Sequence, residues 1–305
     1  MYPIRTLAKK MKTALRNPNA VPDAILRTLS ETNRRLAYWY HGVQFYPDGV
    51  DIFTEDWDNL IILDACRYDE FERACEFDGV LESRLSRGSM SEEFVRGNFS
   101  GQSATDTVYV SSNLWYAKLH DEIDATIHEF MPVERDAFNG ETSHPATVTA
   151  AARDANERYP NKRLIIHYLQ PHQPYFDDEG EKFRLGARFP RDLRNQPHNR
   201  DDIIKAYRDT LALTLSSVEE LLNDLTGQTV ITADHGELFG SRARPLPVRR
   251  YGHPRGTYVK PLLKVPWFIV ESNQRKEIAD GCRSNTIAVN DATVDNQLEA
   301  LGYKI

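Results

Sequence analysis

The sequence has few cysteines and no long apolar run. Cys66, Cys75 and Cys282, the only cysteines among 305 residues, lack the close paired spacing of a disulfide framework or a zinc knuckle. No run approaches the roughly 18 apolar residues that span a bilayer. The first residues, Met1 to Arg5, do not contain the apolar core of a secretory signal. These absences predict a cytoplasmic protein.

The sequence also has no excess of basic residues, because its net charge is −7. That charge argues against general binding to nucleic acid. With 40% hydrophobic and 27% charged residues, the composition is that of an ordinary globular protein. The length allows one large domain or two modest ones.

The basic residues are concentrated at the N-terminus. Residues 1–36 carry eight lysines and arginines against two acids, and apolar residues recur there at helical spacing. We therefore expect a basic helical leader over residues 1–50 and a single domain over residues 51–305. The leader predicts peripheral docking onto an anionic membrane face or a partner protein. The alternative is a surface helix packed on its own domain.

Strand-like and helix-like segments alternate along the domain. Strands are expected at residues 59–64, 107–111, 164–169, 228–233 and 265–270, with helices at 68–77, from 91, at 146–159 and at 201–225. This alternation predicts an α/β fold with a doubly wound, mostly parallel sheet and helices on both faces. Residues 241–250 are expected to form a loop, and residues 176–200 either a lid or a surface loop.

Two of the expected strands end on acids. Asp64 follows the apolar run at 59–63, and Asp234 and His235 follow the run at 228–233. Parallel strands present their carboxyl ends at one edge, where ligands bind in such sheets. Two carboxylates and an imidazole there predict a divalent metal site, and Gly236 would let the backbone approach it closely. Asp64 alone could instead cap the helix that follows it.

Serines and histidines lie near other expected strand ends. Ser89 and Ser91 precede a helix, where free N–H groups favour an oxyanion, although Ser89 with Glu92 also fits a capping box. His172 stands between two prolines beyond the strand at 164–169, and either a proton donor or a packed loop residue fits there. His253 follows a glycine in the last cluster.

In this order, these clusters resemble the alkaline phosphatase/sulfatase superfamily, and more closely the sulfatase-like proteins of archaea. The segments that carry the resemblance are Leu63 to Asp69, Gly252 to Pro254 and Val265 to Trp267. The resemblance covers roughly residues 57–270. It implies an alkaline phosphatase-like α/β fold and makes residues 51–305 the catalytic domain.

The resemblance also implies roles for single residues. Asp64, Asp234 and His235 would hold one divalent ion, Mn, Zn or Mg, and His253 would complete the site. The nucleophile would be Ser91 or Ser89, with Ser91 preferred because two acids and an aromatic residue follow it. In addition, His172 would bind the transferred group or protonate the leaving oxygen, and Arg67 would pair with a non-bridging oxygen.

Two departures from the superfamily pattern refine this expectation. Cys66 does not begin the stretch that directs oxidation to formylglycine in true sulfatases, which favours phosphate over sulfate esters. Gln170 stands where two-metal members carry an acid, which favours one metal. We therefore expect a hydrolase or transferase of phosphate esters or diesters. The alternatives are a sulfatase-type hydrolase, a phosphomutase and a non-catalytic metal-binding scaffold docked by its leader.

Overall fold

The computed structural model describes residues 21–176, 200–281 and 290–301. The first 20 residues of the leader, nearly all of the expected excursion at 176–200 and Cys282 lie outside these ranges. Nine strands are found among the described residues: β1 (Asn59–Leu63), β2 (Val80–Leu85), β3 (Ser103–Ser111), β4 (Thr126–Pro132), β5 (Arg163–Tyr168), β6 (Thr229–Thr232), β7 (Leu238–Arg242), β8 (Arg249–Gly252) and β9 (Lys264–Val270).

Seven of these strands form one sheet in the order β2-β9-β6-β1-β5-β3-β4. The pairs β6/β1, β1/β5, β5/β3 and β3/β4 are parallel, whereas β9 runs antiparallel to both of its neighbours. The expected mostly parallel sheet is confirmed. The apolar run at 265–270 does form a strand, but in the reverse direction.

Helices cover both faces of the sheet, as expected for a doubly wound fold. The helices of the described chain are α1 (Val21–His41), α2 (Tyr68–Ala74), α3 (Ser91–Phe99), α4 (Trp115–Ile123), α5 (Pro145–Arg158), α6 (Arg200–Leu222), α7 (Lys260–Leu263) and α8 (Asp291–Ala300). One hydrophobic core contains residues of α2, α5 and α6, and the other contains residues of α3, α4 and α8.

The central strand β1 divides its side chains between the two cores. Ile61 and Leu63 belong to one core, and Leu60 and Ile62 belong to the other. This alternation follows from the two-residue period of a strand. Because both faces are buried, β1 is apolar from Leu60 to Leu63, and the next polar side chain, Asp64, lies at the carboxyl edge.

The expectation of a loop over residues 241–250 is wrong in part. Strands β7 and β8 pair antiparallel and form a hairpin apart from the main sheet. The Arg- and Pro-rich sequence at 243–248 is only its connection. This hairpin brings Gly252 back beside Leu238, which carries His253 toward the residues that follow β6.

Helix α1 is joined to the domain by specific bonds. The side chain of Asn33 donates to the carbonyl of Leu246 and accepts from its N–H, and Tyr38 donates to Glu93 at 2.6 Å. No helix in the described ranges has the length and apolar character needed to cross a bilayer.

Candidate metal centre and nucleophile

The two acids at the strand ends meet at the carboxyl edge of the sheet. Strands β1 and β6 are parallel neighbours, and the carboxylates of Asp64 and Asp234 that follow them are fully buried. Asp64 Oδ2 accepts from Asn113 Nδ2 at 2.7 Å. Asp234 Oδ1 accepts from the N–H groups of Ala65 and His235 at 3.1 and 2.9 Å. The other two oxygens, Asp64 Oδ1 and Asp234 Oδ2, are buried and accept no hydrogen bond from the part of the chain that the structure describes.

His235 directs a ring nitrogen at these two oxygens. Its Nδ1 lies 2.8 Å from the carbonyl oxygen of Gly236, to which it can only donate. Its Nε2 lies 3.6 Å from Asp64 Oδ1 and 3.4 Å from Asp234 Oδ2. Burial lowers the pKa of His235, and the charge of His253 lowers it further, so the ring is neutral and Nε2 carries a lone pair.

The three side chains together fit a divalent cation. Their ligand atoms all lie within 4.8 Å of one another. Burial raises the pKa of both Asp64 and Asp234, and the charge of Asp234 raises that of Asp64 further. Two buried acceptor oxygens and one imidazole lone pair, with no donor between them, leave a place that positive charge would stabilise. Carboxylate and imidazole ligands suit Mn, Zn or Mg.

Gly236 is required by packing against the chain segment before β9. A Cβ atom at Gly236 would lie 2.1 Å from the carbonyl oxygen of Pro261. The N–H of Gly236 donates to the carbonyl of Leu262 at 2.8 Å. The close approach that Gly236 permits is therefore to α7, whereas the sequence led us to expect an approach to the metal.

The two candidate serines have different surroundings. Ser91, the first residue of α3, is buried with its Oγ 3.4 Å from Asp64 Oδ2 and 3.5 Å from His235 Nε2. Ser89 Oγ instead lies 2.8 Å from Glu93 Oε2 and accepts from Thr257 N–H at 3.2 Å. Thus Ser91 faces the metal ligands, whereas Ser89 joins α3 to the segment before α7.

Two further histidines adjoin His235. The ring of His253 lies 4.6 Å from that of His235 and 4.9 Å from that of His172. His253 Nδ1 lies 3.1 Å from Glu237 Oε2, and this contact orients the ring. Burial lowers the pKa of His172, and the charges of His253 and Arg135 lower it further. A neutral His172 can accept a hydrogen bond more readily than it can deliver a proton.

Gln170 does not supply an acid to this site. Its amide Nε2 donates to Thr142 Oγ1 at 3.0 Å and to the carbonyl of Ser143 at 2.9 Å. The backbone N–H of His172 donates to the carbonyl of Asp64 at 3.0 Å, which fixes the loop that carries both residues.

Arg67 and Cys66 lie apart from the metal ligands. The guanidinium of Arg67 donates to Asp69 Oδ1 at 2.8 Å and to the carbonyl of Glu237 at 2.9 Å. It lines an open cavity of about 570 Å³ together with residues of α2, α6 and β7. Burial raises the pKa of the Cys66 thiol, which belongs to the hydrophobic core.

Three residues of the site escape sequence reasoning. Asn113 binds Asp64, Glu237 binds His253, and His167 lies in β5 with its Nε2 3.9 Å from Asp234 Oδ2. Burial lowers the pKa of His167 to about 4, and its Nδ1 lies 2.8 Å from Tyr109 Oη. The sequence signal that could have revealed Asn113 is its position as a polar residue just beyond the end of β3. His167 gave none, because it stands inside an apolar run.

Comparison with models of known protein families and with curated proteins finds no match. Solved structures of similar fold include the C-terminal periplasmic domain of phosphoethanolamine transferase EptC from Campylobacter jejuni. It is 13% identical, with 70% of this chain and 78% of that chain covered and a TM-score of 0.47. The 2-O GAG sulfatase BT1596 is 12% identical over 72% of this chain and 64% of that chain, with a TM-score of 0.46.

A protein of the alkaline phosphatase superfamily from Vibrio parahaemolyticus is 10% identical, with 72% of this chain and 60% of that chain covered and a TM-score of 0.40. Similarity at this level does not establish what this chain acts on. These comparisons give the expected resemblance to archaeal proteins no support. They contradict the prediction of a cytoplasmic protein, because the Campylobacter structure is a periplasmic domain, and that prediction is withdrawn.

Proposed function

We propose that the chain is a metal-dependent hydrolase or transferase of phosphate esters or diesters with Ser91 as its nucleophile. The observation that carries the proposal is the position of the Ser91 hydroxyl, 3.4 Å from Asp64 Oδ2 and 3.5 Å from His235 Nε2. A hydroxyl at a helix N-terminus and beside cation ligands is suited to attack an anionic ester, because both surroundings favour negative charge.

Asp64, Asp234 and His235 would hold one divalent ion, which we propose is Mn, Zn or Mg. When bound, such an ion lowers the pKa of a neighbouring hydroxyl and stabilises negative charge on phosphoryl oxygens. The contribution of the chain is orientation. The carbonyl of Gly236 keeps the proton of His235 on Nδ1, and the backbone N–H of Ala65 holds the carboxylate of Asp234 in place.

Attack by Ser91 Oγ would form the bond to phosphorus while the bond from phosphorus to the leaving oxygen breaks, and the hydroxyl proton would pass to water. His253 is the acid for the leaving oxygen, because Glu237 binds its Nδ1 and holds the ring 4.6 Å from that of the proposed ligand His235. Water or an acceptor alcohol would then release the phosphoserine, and His253 would recover its proton from that attacking group. The neutral His172 would accept a hydrogen bond from the transferred group.

The test is turnover of bis(4-nitrophenyl) phosphate by chelator-treated protein to which Mn, Zn or Mg is returned. We expect metal-dependent turnover, and we expect Asp234→Ala to lose both bound metal and turnover. If Asp234→Ala keeps both, the assignment is wrong. 4-Nitrophenyl sulfate is measured in parallel. Turnover of the sulfate alone would favour the sulfatase alternative, and metal binding without turnover of any ester would favour the scaffold.

We also propose that residues 1–50 form a leader and residues 51–305 a catalytic domain. The leader would bind peripherally to an anionic membrane surface. The support is an exposed apolar stripe on α1, where Leu36, Trp39 and Tyr40 are 41, 81 and 78% exposed. Aromatic side chains beside basic residues suit the membrane interface. Co-sedimentation with anionic but not zwitterionic vesicles, reduced in Trp39→Ala, is the expected result. Equal recovery with both vesicle types would point to a protein partner.

A further inference from the structure

Arg135 is a half-buried arginine at the same edge of the sheet as the metal ligands. It follows β4, and its Nη1 donates to the carbonyl oxygens of Glu141 and Gln297 at 3.0 and 3.2 Å. Its Nε and Nη2 are both buried and have no hydrogen-bond partner among the described residues. These two nitrogens carry N–H groups along one edge of the guanidinium, which is the edge that binds an oxyanion with two parallel hydrogen bonds.

The charge of Arg135 has no acidic partner among the described residues. Other partly buried arginines, such as Arg84 and Arg96, form ion pairs with glutamates. Burial alone lowers the pKa of Arg135, to about 10, and the group remains charged at neutral pH. A cation in this position that has neither a counter-charge nor acceptors for two of its N–H groups is unfavourable. Arg135 therefore lowers the stability of the folded protein.

A tight loop connects Arg135 to the proposed active site. Ala137 and Thr142 form an isolated antiparallel bridge, and Gln170 donates to Thr142 Oγ1 and to the carbonyl of Ser143. The guanidinium is therefore fixed relative to the segment that carries His172, whose pKa is lowered by burial and by the charges of a neighbouring histidine and Arg135. Ser143 Oγ is a further buried donor without a partner.

We propose that Arg135 binds an anionic group of the substrate, a carboxylate or phosphate, through Nε and Nη2. This group is separate from the phosphate that Ser91 attacks, and it lies on the His172 side of the site. The ligand would thus be an ester that carries a second negative charge. That the anion belongs to an ester substrate rests on the proposed function, whereas anion binding by Arg135 does not.

The first experiment uses the full chain after removal of metal by a chelator. Without a cation the carboxylates of Asp64 and Asp234 repel anions, so inorganic phosphate titrated by calorimetry reports on Arg135. We expect binding by the wild type and at least about tenfold weaker binding by Arg135→Met, because two charged hydrogen bonds are lost. Arg158→Met removes an exposed arginine bridged to Asp154 and is the matched control, with unchanged affinity.

Arg135→Lys keeps the positive charge but loses the two parallel N–H donors of the guanidinium, and it should bind phosphate with intermediate affinity. Thermal melting establishes that each variant is folded, and if Arg135→Met does not fold, the lysine variant decides. The proposal is overturned if the wild type binds no phosphate. It is also overturned if folded Arg135→Met binds phosphate as tightly as the wild type does, or, where that variant does not fold, if Arg135→Lys does.

The second experiment uses the metal-loaded protein and two chromogenic diesters, ethyl and carboxymethyl 4-nitrophenyl phosphate. We expect the wild type to prefer the carboxymethyl ester through a lower KM, and we expect Arg135→Met to reduce this preference about tenfold. An equal preference in the variant overturns the substrate role. If phosphate binding depends on Arg135 but neither ester is turned over, the proposed function fails and the anion site stands.

Discussion

Asp64→Asn should make the metal-free protein more stable than the wild type and the metal-bound protein less stable than the wild type. In the metal-free protein, the carboxylate oxygens of Asp64 and Asp234 face each other with no donor between them. At 4.8 Å or less, two unit charges repel by about 3 to 4 kcal/mol at an effective dielectric constant of about 20. The substitution removes this repulsion with little change of shape, because the new amide oxygen still accepts from Asn113.

Partial protonation of the pair relieves some of that repulsion in the wild type. We therefore expect the variant to gain roughly 1 to 3 kcal/mol in free energy of unfolding without metal, a rise in Tm of roughly 2 to 5 °C for a chain of this length. With a divalent ion at about 1,000 times its Kd, the wild type gains about 4.1 kcal/mol, which exceeds the lead of the variant. The variant lacks one of three ligands and gains much less, so its Tm falls below that of the wild type.

The pH dependence has a definite sign. Burial and the charge of Asp234 raise the pKa of Asp64 in the folded protein. Ionisation of Asp64 therefore lowers the free energy of unfolding as the pH rises above the pKa of an aspartate in the unfolded chain, about 3.9. Metal-free wild type should lose stability through this range, and Asp64→Asn should lose less. Thermal melts from pH 4 to 8, with and without Mn, measure both effects.

Asp121→Asn is the matched control, since the side chain of Asp121 is 91% exposed. It should change neither the metal-free Tm nor the gain from metal. The reasoning is refuted if Asp64→Asn lowers the Tm of the metal-free protein and still gains as much from Mn as the wild type does.

Three further substitutions test the remaining parts of the site. Ser91→Ala should lower turnover by at least about 10³-fold while the Tm gain from metal persists, whereas Ser89→Ala should keep turnover and lose about 1 to 2 kcal/mol of stability in denaturant melts. His253→Gln should lower kcat by about 10²-fold or more for an alkyl leaving group, and far less for 4-nitrophenolate, which departs without a proton; equal losses for both would contradict its role as acid. Gly236→Ala should cost about 1 to 3 kcal/mol, because its methyl group meets the carbonyl of Pro261; an unchanged Tm would contradict that contact.

The strands that carry the metal ligands could be predicted because they are buried on both faces. Strands β1 and β6 are rich in apolar and β-branched residues, and the first charged residues after them, Asp64 and Asp234, marked their ends. The edge strands β2 and β4 were missed. An edge strand has a neighbouring strand on one side only, and β2 mixes exposed and half-buried side chains, without the apolar run that marks a central strand.

The reverse direction of β9 was not predictable from its own sequence. A buried strand has the same apolar composition in either direction, and its direction depends on the connection that precedes it. Here the chain after β6 passes through the β7/β8 hairpin and α7 before it enters the sheet. The alternation of strands and helices that predicts parallel units does not apply to such a connection.

Within the site, the residue types were predictable but their pairing was not. The sequence left Ser89 and Ser91 as alternatives, and only the side-chain contacts separate them: Ser89 bonds to Glu93, and Ser91 faces His235. Arg67 was expected to meet the substrate, but its guanidinium is occupied by Asp69. Such choices depend on rotamers and strand register, which a single sequence does not encode locally.

The central claim is that Asp64, Asp234 and His235 hold a divalent ion beside Ser91. The most direct measurement is anomalous scattering from crystals of the full chain grown with Mn or Zn, recorded at the absorption edge of that metal. We predict one anomalous peak within coordination distance of all three side chains and next to Ser91 Oγ, and no peak there in Asp234→Ala crystals. A metal bound elsewhere on the chain, or no peak between these three residues, would contradict the account.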